Sequence, residues 1–314
     1  MQSVLDHIKT LDADQARAVL FTVDTILGNV CGCDVHKAEG TPVPYEVEMA
    51  ELLLGKWATA TATAKRQAAE WLAARGGVLT ADEMDDILDA IDDILDDRFF
   101  AQIKSPLRYL FDESYRHAKH GIAQRLEIVA RFNVIDTEVT KWLTDHHLYW
   151  IHDYYNRRVS GQFAKVVAEG MAEGLGRNEM GVVVKDFFSK YPGLANKPDS
   201  YYRLLSANAM NRSRNFGIMQ GFEDAGIESY RIVAVMDERT SPICRKMNNT
   251  VISVKQGIAH RNALMAAETP EDVKAIAPWP TPTQIETLDV DQLSGLGVKV
   301  PPFHGFCRST IVAE

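Results

Sequence analysis

Cys244, His304 and Cys307 are a thiol, an imidazole and a second thiol, a set able to bind a metal ion. Thiolate sulfur and imidazole nitrogen are the donors that Zn²⁺ favours. His304 and Cys307 lie three residues apart, far along the chain from Cys244. A turn carrying one ligand that faces a second turn carrying a close pair is a common way to build a structural zinc site. The first turn is expected within 237–250, bending at Ser241-Pro242 and re-entering an extended segment through Asn248-Asn249. The second is expected after Pro301-Pro302, which fixes an extended approach.

A Cys/His pair with Asp237 nearby also has the makings of a thiol nucleophile, and three ligands plus water would describe a catalytic zinc. No His-Glu-x-x-His motif or glycine-rich phosphate loop accompanies them, so an enzyme is the weaker expectation. Cys31-x-Cys33 with His36 is too isolated to form a site and is expected in a loop between helices. The paired aspartates Asp85/Asp86 and Asp92/Asp93 lack the glycine-containing loop of a calcium site, so they read as a solvated acidic face. His117, His120, His146, His147 and His152 do not offer i, i+4 ligand spacing from 147 to 152 and read as surface or packing residues. Tyr149, Trp150, Tyr154, Tyr155, Arg157 and Arg158 interleave aromatic with basic character, which suits a contact with nucleic acid or protein but is explained better as a core stripe with a polar rim.

Secondary structure changes character along the chain. The first two hundred residues read as helices: roughly 61–75, ended by Gly76-Gly77; 82–98, capped by Thr80 with Glu83; then 108–130, 136–150, 152–174 and 178–190, with interruptions at Ser105-Pro106 and 191–193. In the second of these, Met84, Ile87, Leu88, Ile91, Ile94 and Leu95 make one apolar face. Residues 197–201 are the candidate linker, with Asp199 or Ser200 able to cap a long helix that Gly226 ends. Extended segments follow at 229–236 and 250–254. The fold class is therefore α+β: a predominantly helical region, 1–198, then a small α+β domain, 199–314, of one long helix and short antiparallel strands carrying a Cys/His knuckle.

With 46% hydrophobic and 25% charged residues, the 314-residue chain can bury a sizeable core and is long enough for two domains. No window reaches the roughly 18–20 apolar residues of a membrane span. The N-terminus lacks a signal peptide's features, so a cytosolic protein with reduced thiols is expected. The net charge of −9 argues against a general nucleic-acid coat, but it is uneven, at −11 over 1–100, +5 over 101–220 and −3 over 221–314. Solvated helix faces account for this, although a basic middle could face DNA.

Taken together, Asn208-Ala209 on the long helix, Glu223-Asp-Ala-Gly226-Ile227, the following strand, Asp237-x-Arg239-Thr240-x-x-x-Cys244 and Pro301-Pro302-x-His304-x-x-Cys307-Arg308-Ser309-Thr310 resemble the C-terminal domain of Mu F-like phage head morphogenesis proteins. The resemblance covers about a third of the chain. It implies a structural minor head protein of a tailed bacteriophage, associated with the portal and other head proteins, acting in head assembly and in DNA packaging or ejection. Its place would be the host cytoplasm during assembly and the virion head afterwards, with no membrane partner. Arg157, Arg158, Arg212 and Arg214 are then the first choice for contact with packaged DNA.

The chain departs from the family pattern in carrying Ser241 where many members have a second cysteine. The fourth ligand is then Asp237, His260 or water, or zinc is absent and the same groups pack and hydrogen-bond, with Cys244 and Cys307 as small buried hydrophobes and Asp237 paired with Arg239 or Arg308. The competing functions are a metal-dependent hydrolase or nuclease built on the same cluster, and an injected phage effector.

Overall fold

The computed structural model describes residues 44–74, 80–152, 157–176, short pieces between 179 and 187, and 198–314. The Cys31/Cys33/His36 group, Gly76-Gly77 and most of the helix expected at 178–190 lie outside them. The described chain is mostly helical with a three-stranded antiparallel sheet near its C-terminal end, an α+β fold. Two compact units form from non-contiguous segments. One holds 48–109 and 144–202; the other groups 110–143 with 203–314 and the few described residues before Glu48. The sequence places its junction at 198/199.

In the unit holding 48–109 and 144–202, α1 (Glu46–Ala73) buries Met49, Leu53, Trp57, Ala60, Ala64, Ala68 and Leu72, a stripe at helical spacing. It begins well before the expected start near 61. α2 (Ala81–Leu95) has the expected capping box between Thr80 and Glu83. Its aspartates at 82, 85, 86, 89, 92 and 93 are exposed, as a solvated face requires. A π-helical turn (Asp96–Phe100) leads without a break into α3 (Ala101–Arg125). The interruption expected at Ser105-Pro106 does not occur: Pro106 sits inside the helix. Proline in a helix costs about 3 kcal/mol, but Phe99, Ile103 and Leu107 continue one fully buried stripe past it. Trp57, Phe99 and Tyr202 pack edge to face or tilted at centroid distances of 5.3 to 6.0 Å. α5 (Arg157–Ala172) lies largely within the helix expected at 152–174.

The other unit positions the Cys/His residues. α3 ends at Arg125, earlier than expected, and α4 (Val134–Tyr149) starts through a reciprocal cap in which Asn133 and Asp136 each accept the other's backbone N–H. Asp136 is fully buried and also accepts from Lys119 Nζ at 2.8 and 3.0 Å and from the Tyr115 hydroxyl at 2.9 Å, while Lys119 reaches Asp224 at 2.7 Å. This charged group ties α3 and α4 to α6 (Pro198–Asp224). Residues 198–201, expected as linker, are the first turn of α6, and Asp199 lies inside that turn rather than at the cap. Gly226, at φ +68°, closes the helix as expected: its N–H bonds Glu223 and that of Ile227 bonds Phe222.

β1 (Ser229–Val233) is the centre of the sheet, between β2 (Val251–Ser253) and β3 (Thr310–Ala313). Tyr230 pairs with Ile252 and Ile232 with Ile311, and these four are buried on one face, the period-2 pattern of a half-covered sheet. β1 is shorter than expected because Ala234 N–H turns to the Asn248 side chain. Val254 is not a strand residue: Ser253 caps α8 (Val254–Met265) there. The segment expected as a plain turn at Ser241-Pro242 is the start of a short helix, α7 (Pro242–Met247), capped by Ser241. Three further short helices, α9 (Pro270–Ile276), α10 (Pro282–Thr287) and α11 (Val290–Gly295), fill the stretch before Pro301.

Candidate metal centre

Cys244 and the pair His304/Cys307 come together despite their separation in sequence. Cys244 sits in the first turn of α7, where its N–H donates to the Ser241 hydroxyl at 3.3 Å. His304 and Cys307 flank a tight turn in which Phe306 takes a positive φ of 54°, which carries the two side chains to one side. Pro301 and Pro302, joined by a cis peptide, are buried behind it. The ligand atoms of Cys244, His304 and Cys307 all lie within 4.8 Å of one another, and the three residues are 3%, 6% and 2% exposed. They form a buried group that can hold a metal ion.

The distances fit that use. Two sulfurs on a tetrahedral zinc with Zn–S bonds of about 2.3 Å stand about 3.8 Å apart; Cys244 and Cys307 sulfurs are 3.7 Å apart. Cys244 Sγ lies 3.1 Å from His304 Nε2, somewhat closer than the roughly 3.5 Å edge of the same tetrahedron. His304 Nδ1 faces the Gly305 carbonyl, which can only accept, so Nδ1 carries a proton and Nε2 is the nitrogen aimed at the sulfurs. Burial opposes ionisation of Cys307, but the hydrogen bond from Cys244 and the adjacent His304 charge outweigh it and hold this thiol well below the usual range. Cys244 moves the opposite way, raised by its hydrogen bond to Cys307 and by burial.

Asp237 is not part of this cluster. Its carboxylate accepts both Arg308 Nη1 and Nη2, at 2.8 and 2.6 Å, as well as the Arg239 N–H at 3.0 Å. The hydrogen bond from Arg308 holds its pKa well below the carboxylate range. Thr240 completes this turn: its hydroxyl accepts from Asp237 N–H at 2.8 Å and donates to the Val235 carbonyl. Arg245 bonds the carbonyls of Thr240 and Asp237. The pairing of Asp237 with Arg308 is thus realised, and the carboxylate is committed to it instead of to a metal. His260, the other side chain considered for the fourth position, is buried on α8 and does not belong to the group either.

The residues that hold the second turn were not evident from the sequence. Asn211 on α6 donates to the carbonyls of Cys307 and Ser309, and Asn215, itself bonded to Asn211, accepts from the Thr310 hydroxyl at 3.2 Å. Arg214 Nη2 reaches the Ser309 carbonyl at 3.4 Å. Arg214 therefore serves the fold at a position first considered for DNA, and burial lowers the pKa of both Arg212, to about 10, and Arg214. Arg157 and Arg158 begin α5, and their side chains lie outside the described ones. A run of Asn, Arg and Asn at i, i+3 and i+4 on one face of a long helix was the signal available.

Among the described residues no helix is long and apolar enough to cross a membrane. Comparisons with family models, with curated proteins and with solved structures find no match to this chain.

Proposed function

We propose that this chain is a structural minor head protein of a tailed bacteriophage, resembling the Mu F-like morphogenesis family, which associates with the portal during head assembly. The observation that supports the reading is convergence. The residues that carry the resemblance, Asp237, Arg239, Thr240, Cys244, His304, Cys307 and Arg308, form one buried Cys/His group and one adjoining ion-paired turn. In this reading the metal is zinc, and its work is to fasten two distant chain segments into a rigid module rather than to activate water. The ligand atoms' burial supports a fastening role, because a catalytic zinc needs a position open to substrate. The helical region would dock on the portal or its neighbours, and Arg157 and Arg158 remain the first choice for contact with packaged DNA.

The test is co-expression with the portal protein encoded in the same genome, followed by size-exclusion chromatography, together with protein analysis of purified heads. Co-elution with the portal and presence in heads at low copy number are expected. Absence from both, with a metal-dependent hydrolytic activity lost in His304→Ala, would overturn the assembly reading in favour of an enzyme.

A further inference from the structure

A tetrahedral metal takes four ligands, and the described cluster offers two sulfurs and one nitrogen. The environment is buried, so the fourth group must come from the protein's own packed surroundings or from a trapped water. Asp237 is taken by Arg308, and His260 lies outside the group. Two serine hydroxyls border the Cys244 sulfur, those of Ser241 and Ser309. They are not equivalent. Ser241 already has a structural duty, accepting the Cys244 N–H as the helix cap. Ser309 is 1% exposed, and its buried hydroxyl oxygen makes no hydrogen bond of normal geometry beyond its approach to the Cys244 sulfur. A buried hydroxyl so poorly partnered calls for an explanation.

The position of Ser309 is fixed from behind. Its carbonyl accepts from Asn211 Nδ2 at 3.3 Å and from Arg214 Nη2 at 3.4 Å, so the backbone that carries the hydroxyl is held in place. Two residues earlier the same Asn211 side chain holds the Cys307 carbonyl. Ligand Cys307 and hydroxyl Ser309 are thus set by one anchor on α6.

We propose that the Ser309 hydroxyl closes the fourth position of the metal site, giving a two-sulfur, one-nitrogen, one-oxygen donor set for a borderline divalent cation such as Zn²⁺. The proposal rests on the metal reading above and adds to it the ligand that the spacing of Cys244, His304 and Cys307 does not supply. Oxygen in place of a third sulfur makes the site weaker than an all-soft one, so the cation is held by position as much as by donor strength.

The experiment uses the full chain, stripped of metal and titrated with Co²⁺ and then Zn²⁺, comparing wild type with Ser309→Ala, Ser309→Cys and Ser241→Cys. Wild type is expected to bind one Co²⁺ with the visible spectrum of a four-coordinate ion. Ser309→Ala is expected to lose about tenfold in Zn²⁺ affinity, the scale seen when a supporting group of a metal site is removed, and to change the Co²⁺ spectrum. Ser309→Cys is expected to bind more tightly, with sulfur-to-cobalt charge-transfer absorption rising by about half as two thiolates become three. An unchanged spectrum and affinity in Ser309→Ala would overturn the assignment, as would a third sulfur gained by Ser241→Cys and not by Ser309→Cys. Absence of any metal binding by wild type would instead remove the zinc reading, and this assignment with it.

Discussion

At the scale of single residues, His260 shows how environment decides behaviour. It is buried on α8, and burial, with Lys299 and Arg212 as cationic neighbours, pushes its pKa down to about 4 from 6.5. The folded state therefore binds a proton on this ring less readily than the unfolded state does. The resulting stability is fully present above pH 6.5 and is lost as pH falls toward 4, a total of about 3 kcal/mol for a shift of this size. Denaturant midpoints measured from pH 7.5 to 4 should fall more steeply in wild type than in His260→Gln. Parallel profiles would show that the imidazole does not carry the effect. The same scale explains why Asp237 was open between two roles in the sequence. A carboxylate two residues before an arginine can serve a metal or an ion pair, and only the return of Arg308 from the far end of the domain selects the second.

Among elements, the crossing of α3 and α6 is set by two glycines. A Cβ placed at Gly217 would stand 2.5 Å from the Tyr115 carbonyl oxygen, and one at Gly221 would stand 3.0 Å from Ile122 Cβ. The two positions are four residues apart on one face, so the backbones approach closely there. Gly217→Ala gains up to about 1 kcal/mol of helix propensity but meets main chain rather than a flexible side chain, at an overpacking cost of about 1–3 kcal/mol. A net loss of about 1–2 kcal/mol in chemical denaturation is expected, and a gain would contradict the close crossing. Neither glycine looked unusual in the sequence, because a glycine inside a helical pattern does not reveal what lies opposite it.

Elements with a strong local signal could be read directly. The Thr80/Glu83 box, the Gly226 stop and the central part of the first strand are local matters, and the chain adopts them. The short helices α9, α10 and α11 carry an equally local signal: Thr269-Pro270-x-Asp272, Thr281-Pro282-x-Gln284 and Asp289-x-x-Gln292 each form a capping box. Pro106 misled for the opposite reason, since a proline's local penalty is outweighed by a buried stripe that only tertiary packing creates. The three ligands of the candidate site were legible because their chemistry is rare. Asn211 and Asn215 were not, because asparagine on a helix has many ordinary uses.

For the molecule as a whole, packing does not follow chain order. Residues 110–143 belong with 203–314, so the unit that carries the Cys/His group takes helical support from a segment nearly a hundred residues upstream. The buried Lys119–Asp136 pair, with Asp224 at its solvent edge, lies in that joint. Nothing in composition marks such an arrangement: α6 is covered on almost every side although its sequence mixes Ser206, Asn211, Ser213, Asn215 and Gln220 with its apolar residues.

The pairing of Asn211 with Cys307 and Ser309 couples the local stability of three regions. Residues 307–310 are tied at once to α6 and to the centre of the sheet through their main chain, and to the 237–240 turn through the Arg308 side chain. Releasing any one of these ties strains the others, so the three regions should open as one cooperative unit instead of fraying separately. In native-state amide exchange, the protected amides of 211–215, 230–233 and 310–312 should share one opening free energy and one denaturant dependence. Distinct values for the strand and the helix would mean that the polar ladder along α6 marks a seam between them.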